Sequence, residues 1–179
     1  MRTIRSATPS AALAALLVLG LGGCAGVPSG PSATAELKPT QGNAVSGSVR
    51  FETRGSKILV TAQVTGLKPN AEHGFHVHEK GDCSAPDGTS AAGHFNPGGK
   101  PHAHHGKSDR HAGDMPNLRA DANGVARWSW ESDLLTVGAG AANVVGRSVI
   151  VHRDPDDYAS QPAGNSGPRL ACGLIVAAR

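Results

Sequence analysis

Eight of the nine histidines fall between His73 and Asp114, and the ninth, His152, ends a later apolar run. The stretch opens with His73-Gly-Phe-His-Val-His78. It continues through His94 to Pro101-His-Ala-His-His105, and closes on Arg110-His-Ala-Gly-Asp114. Side chains two apart on a strand point the same way. His76 and His78 are therefore offered side by side to one ion while Val77 turns to the core. In the run before His152, Val149 and Val151 face one way and Ile150 and His152 the other, so a neighbouring strand can deliver a third imidazole. Neutral imidazole suits copper and zinc, and copper binds hardest in the divalent series. His111 and Asp114, with His94 and one histidine of the 102–105 cluster, make a second set of three nitrogens and one oxygen. That set suits tetrahedral zinc. His102, His104 and His105 compete for the remaining place.

The rest of the chain reads as short strands. Val45, Gly47, Val49 and Phe51 share one face of 44–51, and Ile58, Val60, Ala62 and Val64 one face of 58–64. Further strands are expected at 33–39, 72–79, 125–130, 134–137, 144–152 (broken near Gly146) and 170–177. Trp128 and Trp130 share a face with Ala126, and either pack on the sheet or join an interface. Residues 80–117 and 153–168 are polar, irregular loops. Unstructured loops that long are usually functional or disordered, and the histidines argue for folding around metal. No long helix is indicated. The pattern predicts one all-β domain: a Greek-key β-sandwich or flattened barrel of about eight antiparallel strands.

The N-terminus is set apart. Arg2 and Arg5 precede an apolar run over 11–21, then small residues, Cys24 and Pro/Ser/Gly-rich chain. That has the form of an export signal, and the run is shorter than the ~20 residues of a membrane span. The small residues before Cys24 resemble a lipoprotein cleavage box. The expected organisation is a leader at 1–23, a lipidated Cys24 with a flexible tether to 32, and the domain at 33–179. Ala25 lacks the aspartate of an inner-membrane retention signal, so the expected location is the periplasmic side of the cell envelope, anchored to the outer membrane by lipid alone. Without Arg2 and Arg5, the 17 Lys and Arg fall to 15 against 14 Asp and Glu, a net charge of +1. With no dense basic run, a nucleic-acid partner is not expected. Cys24 aside, only Cys83 and Cys172 are left, and two cysteines in an exported domain read as one disulfide.

Five segments in order carry a family resemblance: Gly74-Phe-His-Val-His-Glu-Lys-Gly81, Gly93-His-Phe-Asn-Pro97, Arg110-His-Ala-Gly-Asp-Met-Pro-Asn117, Val145-Gly-Arg-Ser-Val-Ile-Val-His152 and Gly167-Pro-Arg-Leu-Ala-Cys-Gly173. Together they resemble the bacterial copper/zinc superoxide dismutases over nearly all of 33–179. The resemblance implies copper held by His76, His78, His94 and His152, and zinc held by His94, His102, His111 and Asp114. His94 would bridge the two ions, and Asp156 would link a copper histidine to a zinc histidine. Arg169 would attract the superoxide anion, and His73 would be structural. The implied activity is dismutation of superoxide to dioxygen and hydrogen peroxide, with copper changing valence and zinc structural.

The chain departs from typical eukaryotic members in a shorter loop between His152 and Arg169, where Asp156-Asp-Tyr-Ala-Ser-Gln-Pro-Ala-Gly-Asn165 carries no lysine for steering. Monomer and homodimer are both open. The rival readings are a copper-handling protein on the same scaffold without turnover and a structural zinc-binding protein.

Overall fold

The computed structural model describes residues 30–178 and Thr3. The expected leader, Cys24 and most of the tether lie outside the described residues. Among the described residues nine strands form: β1 (Ser32–Pro39), β2 (Ser46–Arg54), β3 (Lys57–Thr65), β4 (Glu72–His73), β5 (Phe75–His78), β6 (Leu118–Arg119), β7 (Ala126–Ser132), β8 (Ser148–His152) and β9 (Arg169–Ala177). Seven make one sheet in the order β5-β8-β9-β1-β2-β3-β7, every neighbouring pair antiparallel. The chain runs β1-β2-β3 as a meander, crosses to β5, returns to β7 beside β3, then crosses again to β8. These crossings are the Greek key. The sheet's twist brings its two edge strands together. Phe75 on β5 meets Trp128 on β7 edge-on, ring centroids 5.3 Å apart.

Period-two alternation builds the core. Val49 stands opposite Ala62 and Phe51 opposite Val60, and all four are buried together with Ile58, Val64, Ala126, Val149, Val151 and Ile175. Trp128 and Trp130 are half-buried and pack against this core. Main-chain pairing reaches back before β1, since Gly30 N–H donates to the Thr53 carbonyl at 3.3 Å.

The strands differ from expectation in three places. The stretch 72–79 is two strands: β4 leaves at Gly74 to pair with β6 while β5 pairs with β8. A side chain at 74 would strike Ser166, and both polar groups of Gly74 are engaged from later in the chain, its N–H by Asp154 O in the 153–168 loop and its carbonyl by His152 N–H at the end of β8, each at 2.8 Å. The stretch 144–152 is a strand only from Ser148, because Arg147 N–H closes a turn onto the Val144 carbonyl with Gly146 at φ 83. The stretch 134–137 keeps one isolated bridge, Thr136 to Asn143. There the Ser132 hydroxyl oxygen accepts from Leu134 and Leu135 N–H and turns the chain away from the ladder.

The loop after β5 contains one turn of 3-10 helix, Thr89–Ala91. A Cys83–Cys172 disulfide, Cα atoms 5.8 Å apart, ties this loop to β9. No helix among the described residues is long and apolar enough to cross a membrane.

Candidate metal centre

β5 positions the site. His76 and His78 share the face opposite Phe75 and Val77. One edge of β5 pairs with β8, and the other is taken by two pieces of the long loop. Phe95 N–H donates to Val77 O at 2.8 Å, and Val77 N–H donates to Gly113 O at 3.1 Å. Bridges form between His78 and His94 and between His76 and Asp114. Gly113 lies so close to the Val77 carbonyl that an added Cβ would collide with it, so only glycine allows Asp114 to approach the strand here. His152 ends β8 on the face it shares with Ile150, the partner of His76 across β5 and β8, and its ring therefore meets His78.

Two buried groups result. In His76, His78, His94 and His152, and again in His94, His102, His111 and Asp114, one donor atom from each residue lies within 4.8 Å of all the others. His94 belongs to both. Hydrogen bonding fixes which nitrogens are left over. His78 Nδ1 contacts Ala92 O at 2.9 Å and His152 Nδ1 contacts Gly167 O at 3.0 Å. A carbonyl only accepts, so both Nδ1 atoms carry hydrogen and both Nε2 atoms present lone pairs. Those two Nε2 atoms face each other at 3.3 Å. His76 Nε2 lies 2.8 Å from Asp156 Oδ2, leaving its Nδ1 buried with no partner, and His94 Nε2 is likewise buried without one. Four inward lone pairs in a dry site repel one another unless a cation sits among them. Imidazole alone around one ion suits copper.

The second group closes on Asp114. His94, His102 and His111 bring Nδ1 to 2.8, 3.0 and 3.2 Å from Asp114 Oδ1. Asp114 Oδ2 accepts the main-chain N–H of Ala103 and His111. Three nitrogens and one carboxylate oxygen are the donor set of tetrahedral zinc. Of the three clustered histidines, the fold brings in His102. His104 is exposed and His105 half-buried, and their rings lie against each other, tilted by 31° with centroids 3.9 Å apart. His73 is buried outside both groups, its Nδ1 2.9 Å from the His152 carbonyl.

Electrostatics favour ligation. Burial holds His76 and His78 well below the usual imidazole range, lowers His94, and brings His152 to about 4. All four are neutral at pH 7, the form that binds metal. Burial works against ionisation of Asp114 and Asp156, yet their hydrogen bonds to histidine prevail and hold both carboxyls well below the usual carboxylate range. For His102 burial opposes charge, but hydrogen bonds to Asp114 and Asp156 outweigh it and raise it to about 9. Without metal, His102 thus carries a proton between two carboxylates, where positive charge is already stabilised.

Asp156 joins the groups: Oδ2 meets His76 Nε2 at 2.8 Å and Oδ1 meets His102 Nε2 at 3.0 Å. Arg169 is half-buried at the start of β9, donating to Gly88 O at 2.5 Å and Ala92 O at 2.6 Å. Ala92 O also accepts from His78, so the guanidinium is indexed to that histidine. Two supporting residues carried no signal of their own in the sequence. Asn117 forms a two-point clamp on the Asp156 main chain, at 2.9 and 3.1 Å. Arg110, beside His111, is buried and pairs with Asp133 at 2.7 Å. Only their adjacency to ligand-bearing motifs could have marked them.

A Greek-key β-barrel with two adjoining buried ligand sets sharing one histidine defines a two-metal redox protein. Comparison with known proteins narrows the class. Residues 45–175 match the family model described as copper/zinc superoxide dismutase (SODC). The chain is 43% identical over 147 residues to superoxide dismutase [Cu-Zn] 2 of Aquifex aeolicus, covering 80% of this chain and 85% of that one. It is 44% identical over 152 residues to superoxide dismutase [Cu-Zn] of Saccharomyces cerevisiae, covering 80% and 96%. Among solved structures it is similar to the clock protein EA4, with TM-score 0.73 and 37% identity over 81% of this chain and 93% of that one. The chain belongs to the copper/zinc superoxide dismutase family.

Proposed function

We propose that the protein disproportionates superoxide to dioxygen and hydrogen peroxide, with copper at His76, His78, His94 and His152 and zinc at His94, His102, His111 and Asp114. The observation that carries this reading is His94, whose Nδ1 belongs to the Asp114 set while its unpartnered Nε2 faces the all-histidine set. Copper, when bound, supplies the reversible one-electron exchange, and zinc, with its filled d shell, supplies charge and fixed geometry. The remaining work belongs to the chain. His94 Nε2 is the atom able to hold a proton near the reacting anion and hand it to the product. Asp156, bonded to His76 and His102, fixes the orientation of both rings. Arg169 offers a small anion a positive target beside His78. Focusing of this kind raises encounter rates by ~10–1000-fold, and the lysine-free 153–168 loop leaves much of it to Arg169.

The N-terminal pattern supports export and lipid attachment at Cys24, on the periplasmic side of an outer membrane, with 33–179 as the enzyme domain. The Cys83–Cys172 disulfide is in keeping with an oxidising compartment. Incorporation of labelled fatty acid, lost in Cys24→Ser, tests the anchor. For the activity, superoxide consumption is followed after loading with both metals, with zinc alone, and with neither. Turnover is expected only when copper is present. Copper uptake without turnover would favour a copper-handling protein.

A further inference from the structure

The ligands of the proposed zinc set are not fixed in the same way. His94 and Asp114 are pinned to β5 by the bridges to His78 and His76. His111 is pinned through its N–H to Asp114 Oδ2 at 3.1 Å. The main-chain N–H and carbonyl of His102 have no main-chain partner among the described residues. They are held instead by one side chain, the exposed Gln161 of the 153–168 loop. Its Oε1 accepts from His102 N–H at 2.9 Å, and its Nε2 donates to His102 O at 2.7 Å. The carboxamide thus stands in for a strand partner, satisfying both groups as a peptide would.

We propose that Gln161 is a positioning residue for the zinc set: it fixes the main chain of His102, so that delivery of this ligand depends on the 153–168 loop. The inference rests on the metal assignment above. Asp156 lies in the same loop and holds the other end of His102 at Nε2. One short loop therefore holds the N–H, the carbonyl and the ring Nε2 of that ligand, while Asp114 meets its Nδ1 at 3.0 Å and accepts the adjoining Ala103 N–H at 3.2 Å.

The test measures zinc transfer to a chromophoric chelator from protein loaded with both metals, together with the visible spectrum of cobalt(II) placed in the zinc set. Gln161→Ala removes both bonds, and Gln161→Glu keeps only the one accepted from His102 N–H. Asn165→Gly is the control. It removes bonds internal to the same loop, to Asp157 Oδ2 at 3.1 Å and Ser160 Oγ at 2.9 Å, at a position with φ 51 that glycine tolerates. Gln161→Ala is expected to release zinc roughly tenfold more readily, the low end for supporting residues at metal sites, and to weaken the tetrahedral cobalt bands. Gln161→Glu should fall between it and the parent, and carries the comparison alone if the alanine variant does not fold. Asn165→Gly should match the parent. Parent-like zinc retention and cobalt bands in Gln161→Ala, or equal zinc loss in Asn165→Gly, overturn the proposal. A parent protein that takes up no zinc overturns the metal assignment with it.

Discussion

Asp156 Oδ2 stands 2.8 Å from His76 Nε2, both side chains fully buried, although 80 residues separate them in the chain. Its other oxygen reaches His102, so one carboxylate orients a ring in each ligand set. Asp156→Ala should weaken zinc binding by about 10–100-fold, the range for partners of metal-bound imidazoles. The copper set, whose other three rings are held independently of Asp156, should retain its metal better. Metal quantification after dialysis against a chelator reads both.

Arg169 combines a charge with a brace. Arg169→Lys keeps the charge but loses the paired bonds to Gly88 O and Ala92 O. Arg169→Ala loses both. At low ionic strength the alanine variant should fall about tenfold or more in rate and show a flatter salt dependence, with lysine between the two. Rates of superoxide decay measured from low to high salt decide this. An unchanged low-salt rate in Arg169→Ala would remove the residue from the mechanism.

The metal-free protein should be most stable somewhat above pH 6.5, close to neutrality, where the lowered histidines are neutral in both states and His102 has lost little of its contribution. His76, His78, His94 and His152 all bind protons less readily when folded than in the ordinary range, His152 at about 4. As pH falls from 6.5 toward 4 the unfolded chain gains protons that the folded chain does not, so stability is lost. His102 has the opposite sign. Raised to about 9, its contribution is complete below 6.5 and is lost as pH rises through 9. Urea titrations of metal-free protein across pH 4–9 would show the two limbs. A flat profile would contradict the buried, neutral state of the four histidines.

Reduction of Cys83–Cys172 should destabilise the domain. The bridge closes a separation of 89 residues, for which loop entropy sets an upper value of about 4–5 kcal/mol. Because the bridge holds the 81–92 loop that carries Gly88 and Ala92, the bonds to Arg169 should loosen as well. Denaturant midpoints of Cys83→Ser against the parent measure the first effect, and activity of the folded variant the second.

The sequence made the strands and the ligand types legible because both follow from short-range rules. Alternation at Val49, Phe51 and Val60 marks a buried face, and the spacing of His76 and His78 puts two rings on one side of a strand. Spacing alone could not choose among His102, His104 and His105, because that choice depends on how a loop with no period folds back. The structure brings in His102 through contacts with Asp156 and Gln161, more than 50 residues away. The break at Gly74 was hidden for the same reason: what splits the strand is the approach of Ser166 and Asp154 from a distant loop. Asn117 and Arg110 act through main-chain contacts and a single ion pair, which leave no periodic trace.

Diffraction from metal-loaded crystals, with anomalous data at the copper and zinc edges, would locate each ion and tell the two metals apart. One copper peak is expected among His76, His78, His94 and His152 and one zinc peak among His94, His102, His111 and Asp114, with His94 between them. A single ion across both sets, or copper bound only elsewhere on the protein, would contradict that arrangement.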